Sequence, residues 1–326
     1  MDSLIESLLQ DILDGTSKIN LADEVEKVLK DETVKKYLQD LINNPDINLN
    51  DLLPPSEKKT PEEELKINLE AIILTANRTP ILIEDDTFKE AVDPLWKDPL
   101  ENARKHIEFA IKASGRVQYS FSDRFITIGT AWLVTSDIVI TNRHVADELA
   151  NRDSSIDFRG EHFSFDTSLF KVERILHIEK TSGPDIAFLK LSTTENTDGL
   201  NRQPTSLLDR QPIPLSESTK FTPTQNVAII GYPGRPDSKD EDASLIARIL
   251  EYKYDVKRLQ PGNIIGVTNN SIKHDCSTVT GNSGSVLLDL ETGKALGIHY
   301  GGNARITNHA VPASVIKQRL QELELC

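Results

Sequence analysis

From residue 116 onward the chain is a succession of short β-branched or aromatic runs with no helical pattern between them, and this limits its fold more than any other feature. The runs are VQYSF, FITIGTAWLV, DIVITN, FKVERILHI, DIAFLKL, NVAIIGY, NIIGVT, SVLLDL and ALGIHY, each bounded by turn-forming residues. Parallel strands need long crossovers, usually helical. Strands this closely spaced must therefore pair antiparallel, in a barrel or a sandwich. A helix over residues 313–325 closes the chain, and no internal repeat stands out.

The first quarter of the chain has a different period. Leu4, Leu8 and Ile12, then Leu21, Val25, Val28 and Leu29, then Val34, Tyr37, Leu38 and Leu41, then Leu65, Leu69, Ile72 and Ile73 recur at helical spacing. Gly15, Asn43-Asn44-Pro45 and Pro54-Pro55 interrupt them, and Thr60-Pro61 has the form of an N-cap followed by a first-turn proline. Residues 1–76 are therefore expected to form a small all-α helical bundle. Residues 77–99, richer in proline and acid (RTPILIEDD, VDPLWKDP), are expected to be a linker that packs on its neighbour through Trp96. A helix over 100–112, with Ala103, Ile107, Ala110 and Ile111 on one face, then opens a mainly β domain over 100–326. The chain is thus expected to be multi-domain.

Charge and cysteine content narrow the function. Residues 1–98 hold 23 Asp and Glu against 11 Lys and Arg, and the remainder 28 against 26, so most of the net charge of −14 sits in the first third. Phosphate binding needs clustered positive charge, so DNA and RNA are not expected partners. No apolar run reaches membrane-spanning length, and the N-terminal MDSLIESLLQDILDG lacks the basic and uninterrupted apolar regions of a secretory signal. Cys276 and Cys326 form no disulfide or metal-ligand pattern. The expected location is cytoplasmic, with no membrane contact.

Three segments carry chemistry: GTAWLVTSDIVITNRHVA (129–146), containing His144; PDIAFLK (184–190), containing Asp185; and TGNSGS (280–285), containing Ser283. Attack by a serine hydroxyl on a carbonyl needs an imidazole to take its proton and a carboxylate to fix that imidazole's tautomer. His144, Asp185 and Ser283 make a complete set, in the chain order His, Asp, Ser. Each alone would be read as a strand-end or turn residue, and their joint presence is what points to catalysis. His106, His162, His177, His274 and His309 fall outside the set and are expected to be structural or surface residues.

These segments resemble the motifs of trypsin-like serine peptidases. TNRHVA is similar to their histidine segment, DIAFLKL to their aspartate strand and GNSGS to their nucleophile loop, over roughly residues 116–326. The resemblance implies a chymotrypsin-like double antiparallel β-barrel and a serine endopeptidase acting on a protein or peptide substrate without metal or organic cofactor. It also implies an oxyanion hole made by the N–H groups of Gly281 and Ser283, with Gly284 allowing close packing behind the serine.

Within that group, GNSGSVL (281–287) and GIHYGG (297–302) resemble the GNSGSPV and GIHWGG of bacterial glutamyl endopeptidases, with Val286 in place of the proline. The secretory propeptide whose removal frees a new N-terminal amine in those enzymes is not expected here. The resemblance places Ser277 at the base of the specificity pocket, Thr278 and His299 as donors to a substrate carboxylate, and Tyr300, Gly301 and Gly302 along the extended peptide. Glu, or Asp, is then expected before the scissile bond, with protonated His299 adding charge. Two alternatives stand beside this: a basic preference if Asp275 reaches the pocket, and a protease-like module that binds peptides but cuts them slowly or never. The helix-to-strand junction ENARKHIEFAIKASGRVQYSF also resembles intracellular bacterial trypsin-like peptidases joined to other modules, some of which accompany bacterial defence systems. On that analogy residues 1–76 would regulate or recruit the enzyme, through a protein partner or self-association.

Overall fold

The computed structural model describes residues 78–325, apart from 163–166, 198–202, 219–220, 236–245, 304–306 and positions 90, 92, 123, 223, 248 and 269. The helical bundle expected over 1–76 lies outside the described residues. The apolar runs pair antiparallel, as expected, and close into two six-stranded barrels. In the first, β3 (Ser114–Phe121), β4 (Arg124–Leu133), β5 (Ile138–Thr141), β6 (Ser154–Asp157), β7 (Leu169–Ile178) and β8 (Ala187–Leu191) follow the order β3-β4-β5-β8-β7-β6. The second contains β9 (Asn226–Gly231), β10 (Arg258–Thr268), β11 (Ser271–His274), β12 (Val286–Asp289), β13 (Ala295–Asn303) and β14 (Thr307–Pro312), in the order β11-β14-β13-β12-β9-β10. A β10–β11 pairing closes the ring.

The second barrel closes because β10 serves two neighbours. Its first half, 258–263, pairs with β9, and after an irregularity between Ile264 and Gly266 its second half pairs with β11. Proline removes a ladder donor and argues against a central strand, so Pro261 hid this first half from the sequence reading. Along β9, Val227 and Ile229 pack with Ile272 and Leu287 in one apolar cluster, while Ala228 and Ile230 pack with Val286 and Ile298 in another. Both faces are buried, which explains why NVAIIGY and SVLLDL read as unbroken apolar runs.

The stretch expected to be a linker, 77–99, is built into the body from residue 78. β1 (Ile81–Glu84) and β2 (Thr87–Phe88) form a hairpin that turns at Asp85 and Asp86, both at positive φ (52° and 60°). β1 adds to the start of β10, with Ile81 opposite Leu259, and buries Ile83 completely. α1 (Pro94–Asn102) starts on the Asp93 carboxylate, which accepts from Leu95 N–H at 2.8 Å, and it buries Trp96 and Leu100. Of the acids and prolines that suggested a connector, Asp85 and Asp86 make the hairpin turn, Asp93 caps α1 and Pro94 opens it, while Pro99 lies inside the helix. The single helix expected over 100–112 is instead the end of α1 and all of α2 (Arg104–Ala113), separated at Ala103; Ala103, Ile107, Ala110 and Ile111 are buried as expected. α3 (Arg143–Asp147) and α4 (Ala313–Glu322) complete the helices used below.

Lys257 lies where both barrels and α2 meet. Fully buried, it donates from Nζ to Phe158 O at 2.8 Å and Ile111 O at 3.0 Å, with Glu161 Oε1 at 3.5 Å. Burial pushes its ammonium down to about 8, and Glu161 works against that shift. Among the described residues no helix is long and apolar enough to cross a membrane.

Candidate active site

The β5–β8 register brings the first two site residues together. Thr141 lies opposite Ala187, so the chain leaving β5 and the chain entering β8 run side by side through Asn142–His144 and Asp185. Asn142 Nδ2 donates to Asp185 O at 2.8 Å, and α3 begins there with His144 in its first turn. His144 Nδ1 lies 2.6 Å from Asp185 Oδ2, and His144 N–H donates to Oδ1 at 3.2 Å. An ionised carboxylate only accepts, so the ring proton sits on Nδ1 and leaves Nε2 as an acceptor. Burial raises the Asp185 carboxyl, but the hydrogen bonds and charge of His144, helped by Arg143 3.8 Å away, outweigh it and hold the group below the usual carboxylate range.

The nucleophile loop is fastened to the strands that lead into His144. Thr130 N–H donates to Ser283 O at 2.8 Å and Thr130 Oγ1 to Gly281 O at 2.9 Å, while Thr141 Oγ1 donates to Thr130 O at 2.8 Å. Gly129 lets α3 and the loop approach closely: a Cβ there would come within 2.8 Å of Val145 Cγ2 and 3.0 Å of Ser283 O. The half-buried Ser283 is thereby tied to β4, the neighbour of the strand β5 that leads into His144. Thr130, fully buried, was missed in the sequence; its one signal is a hydroxyl inside the apolar run GTAWLV.

Within the loop, Asn282 N–H donates to Val279 O (3.0 Å), Gly284 N–H to His299 O (2.9 Å) and Ser285 N–H to Asn282 O (3.0 Å). The N–H groups of Gly281 and Ser283 donate to no backbone carbonyl among the described residues. Gly281 (φ +91°) and Gly284 (φ +89°) occupy the left-handed region, and a Cβ would run into Tyr232 O at the first and Thr130 O at the second.

The expected pocket residues fall on the segment after β11 and on β13. Thr278 is buried and Ser277 half-buried on the segment between β11 and the nucleophile, held by Asn308 Nδ2 donating to Cys276 O at 2.7 Å and Gly234 N–H donating to Thr280 O at 2.8 Å. His299, on β13, is buried with its Nδ1 3.2 Å from His274 Nε2. Its neighbour Tyr300 tilts against His309, ring centroids 5.9 Å apart. Gly301 (φ +151°) is half-buried, and a Cβ there would meet nothing within 4 Å.

Three readings of this region change. His274 and His309 are neighbours of His299 rather than isolated structural residues; they sit on β11 and β14, whose sequences SIKH and TNHAVP carry no strand alternation. Burial, reinforced by His309 and His144, pushes His299 down to about 3, and burial likewise takes His274 well below the usual range, so His299 offers no positive charge near neutral pH. Asp275 is committed elsewhere: its Oδ2 pairs with Arg78 at 2.7 Å and its Oδ1 accepts from Asn263 N–H at 2.6 Å. Among the described residues no three His, Cys, Asp or Glu side chains gather to hold a metal ion.

Comparison with known proteins gives a family and several similar chains. The family model of the trypsin-like peptidase domain matches residues 129–298, just over half of the chain. A glutamyl endopeptidase of Staphylococcus epidermidis is 24% identical over 178 residues, 53% of this chain and 54% of that protein, so the chain spans about half the length of the curated relatives it matches. Among solved structures, the active form of the Rv3671c protease from M. tuberculosis superposes with a TM-score of 0.46 at 15% identity, covering 76% of this chain and 92% of that one. A serine endoprotease from Yersinia pestis gives 0.46 at 17% identity, covering 68% and 66%.

Proposed function

The chain belongs to the trypsin-like peptidase domain family, and on that premise we propose that it is a serine endopeptidase whose nucleophile is Ser283, base His144 and orienting acid Asp185. The observation that carries the reading is the 2.6 Å His144–Asp185 contact, beside which Thr130 of the neighbouring strand binds the Ser283 loop. Ser283 Oγ attacks the scissile carbonyl while His144 Nε2 takes its proton. The N–H groups of Gly281 and Ser283 stabilise the negative oxygen of the tetrahedral intermediate, and His144 returns the proton to the leaving amine. Water, activated by His144, then hydrolyses the acyl-enzyme.

Glu, or less readily Asp, precedes the cut in this proposal. Thr278 and a neutral His299 donate to its carboxylate, and His274 behind His299 sets which ring nitrogen carries the proton. The relatives named glutamyl endopeptidases favour this, and the engagement of Asp275 by Arg78 disfavours a basic preference. The substrate extends along Tyr300, Gly301 and Gly302, where the open space over Gly301 leaves room for it. Residues 1–76 regulate or recruit a cytoplasmic enzyme in this reading.

A fluorophosphonate probe and a peptide library read by mass spectrometry test it. Wild type should be labelled and should cut after Glu, whereas Ser283→Ala and His144→Ala should fall to background and Asp185→Asn by orders of magnitude. Hydrolysis that survives in Ser283→Ala would sink the mechanism, and cleavage mainly after Lys or Arg would sink the pocket assignment alone.

A further inference from the structure

Asn282, between the two proposed oxyanion donors, is fully buried, and among the described residues its side chain hydrogen-bonds to one partner, the equally buried Gln260 of β10. Gln260 Nε2 donates to Asn282 Oδ1 at 2.7 Å, and Asn282 Nδ2 donates to Gln260 Oε1 at 3.1 Å, a reciprocal amide pair. We propose that Gln260 is a positioning residue for the nucleophile: its amide fixes Asn282, and with it the peptide that carries the Ser283 N–H, in the orientation the reaction needs. The proposal rests on the serine endopeptidase reading above.

Gln260 is suited to this because its own backbone cannot shift. It lies opposite Ile229 in the β9–β10 ladder, three residues after Lys257, which is anchored to the first barrel and α2. Gly231, one residue beyond Ile230, leaves the space for the pair: a Cβ there would come within 2.6 Å of Asn282 Oδ1 and overlap Ser285 Oγ. Thr130 holds the loop through the carbonyls of Gly281 and Ser283, so two backbone carbonyls and the intervening side chain are fixed from three directions. Both partners are neutral. The pair that holds Asn282 therefore carries no charge of its own.

A nearly isosteric substitution converts this into a pH-dependent property. In Gln260→Glu the ionised carboxylate can accept from Asn282 Nδ2 but sets its second oxygen against Asn282 Oδ1, whichever way that amide is turned. The neutral acid restores the missing donor. Burial raises a carboxyl pKa, so the neutral form returns above the ordinary carboxylate range.

The test is kcat/KM for one Glu peptide from pH 5 to 8, for wild type, Gln260→Glu and Gln260→Leu, well below each melting midpoint at every pH. Taking the variant-to-wild-type ratio cancels pH effects common to both enzymes. For Gln260→Glu the ratio should rise about tenfold or more as pH falls, carried by kcat, and Gln260→Leu should lose on the order of 10–100-fold in kcat at all pH values, as expected when reacting groups are displaced by about 1 Å. A folded Gln260→Glu whose ratio stays flat overturns the proposal while leaving the endopeptidase reading intact. A wild type with no Ser283-dependent hydrolysis overturns both. If Gln260→Leu does not fold, the Gln260→Glu ratio decides alone.

Discussion

At the residue scale the site works by leaving a few groups uncommitted while their neighbours are pinned. Asp185 occupies His144 Nδ1, and among the described residues the N–H groups of Gly281 and Ser283 make no backbone hydrogen bond while those of Asn282, Gly284 and Ser285 do. His299 shows the opposite use of burial, which keeps it neutral with a folded pKa of about 3 against 6.5 for an ordinary histidine. Between those values the unfolded chain binds the extra proton, so the stability this residue contributes is present above about pH 6.5 and is lost as pH falls toward 3. Acidification to pH 4 should cost roughly 3 kcal/mol through His299. Urea unfolding at pH 7 and pH 4 checks this: wild type should lose more stability than His299→Gln by about that amount, and equal losses would contradict it.

At the element scale the β1–β2 hairpin and α1 belong to the peptidase body. Ile83, Phe88 and Trp96 are buried in the main core, and burying such a side chain contributes roughly 1.5–3 kcal/mol. Arg78, just before β1, also neutralises the buried Asp275 just after β11, and a buried charge stripped of its partner costs about 3–5 kcal/mol. A chain starting at residue 78 should therefore unfold cooperatively near the melting midpoint of the full protein. A chain starting at residue 100 should be insoluble or melt far lower. Equal melting of the two would show that the hairpin is an accessory and restore a boundary near residue 100.

At the scale of the whole molecule Lys257 links the second barrel to the first and to α2. From the residue just before β10, three residues ahead of Gln260, its ammonium binds Ile111 O at the end of α2, Phe158 O beside the first barrel and, more distantly, Glu161. Lys257→Met removes all three interactions and leaves the Glu161 carboxylate buried without its cation. The expected loss is about 3–5 kcal/mol. Glu161→Gln in the same chain should restore part of that stability, because the stranded charge is removed, and calorimetry on the two single variants and the double variant measures the coupling. Additive losses would mean that the two groups act independently.

The sequence by itself determined the antiparallel β class, the order His144, Asp185, Ser283 and the need for glycine at 281 and 284, because period, motif order and turn chemistry are local properties of the chain. It also identified the buried face of α2. Tertiary structure alone decided the rest. β6, β11 and β14 are short or polar and become strands only because neighbours pair with them, and β10 runs through Pro261 because two partners share its length. Of the residues missed in the site, His309 neighbours His299 across the β13–β14 hairpin, whereas Thr130, Gln260 and His274 are distant in sequence from their partners. Barrel closure brings them into contact, and the charge state of His299 follows from the burial that closure imposes, which no local pattern encodes.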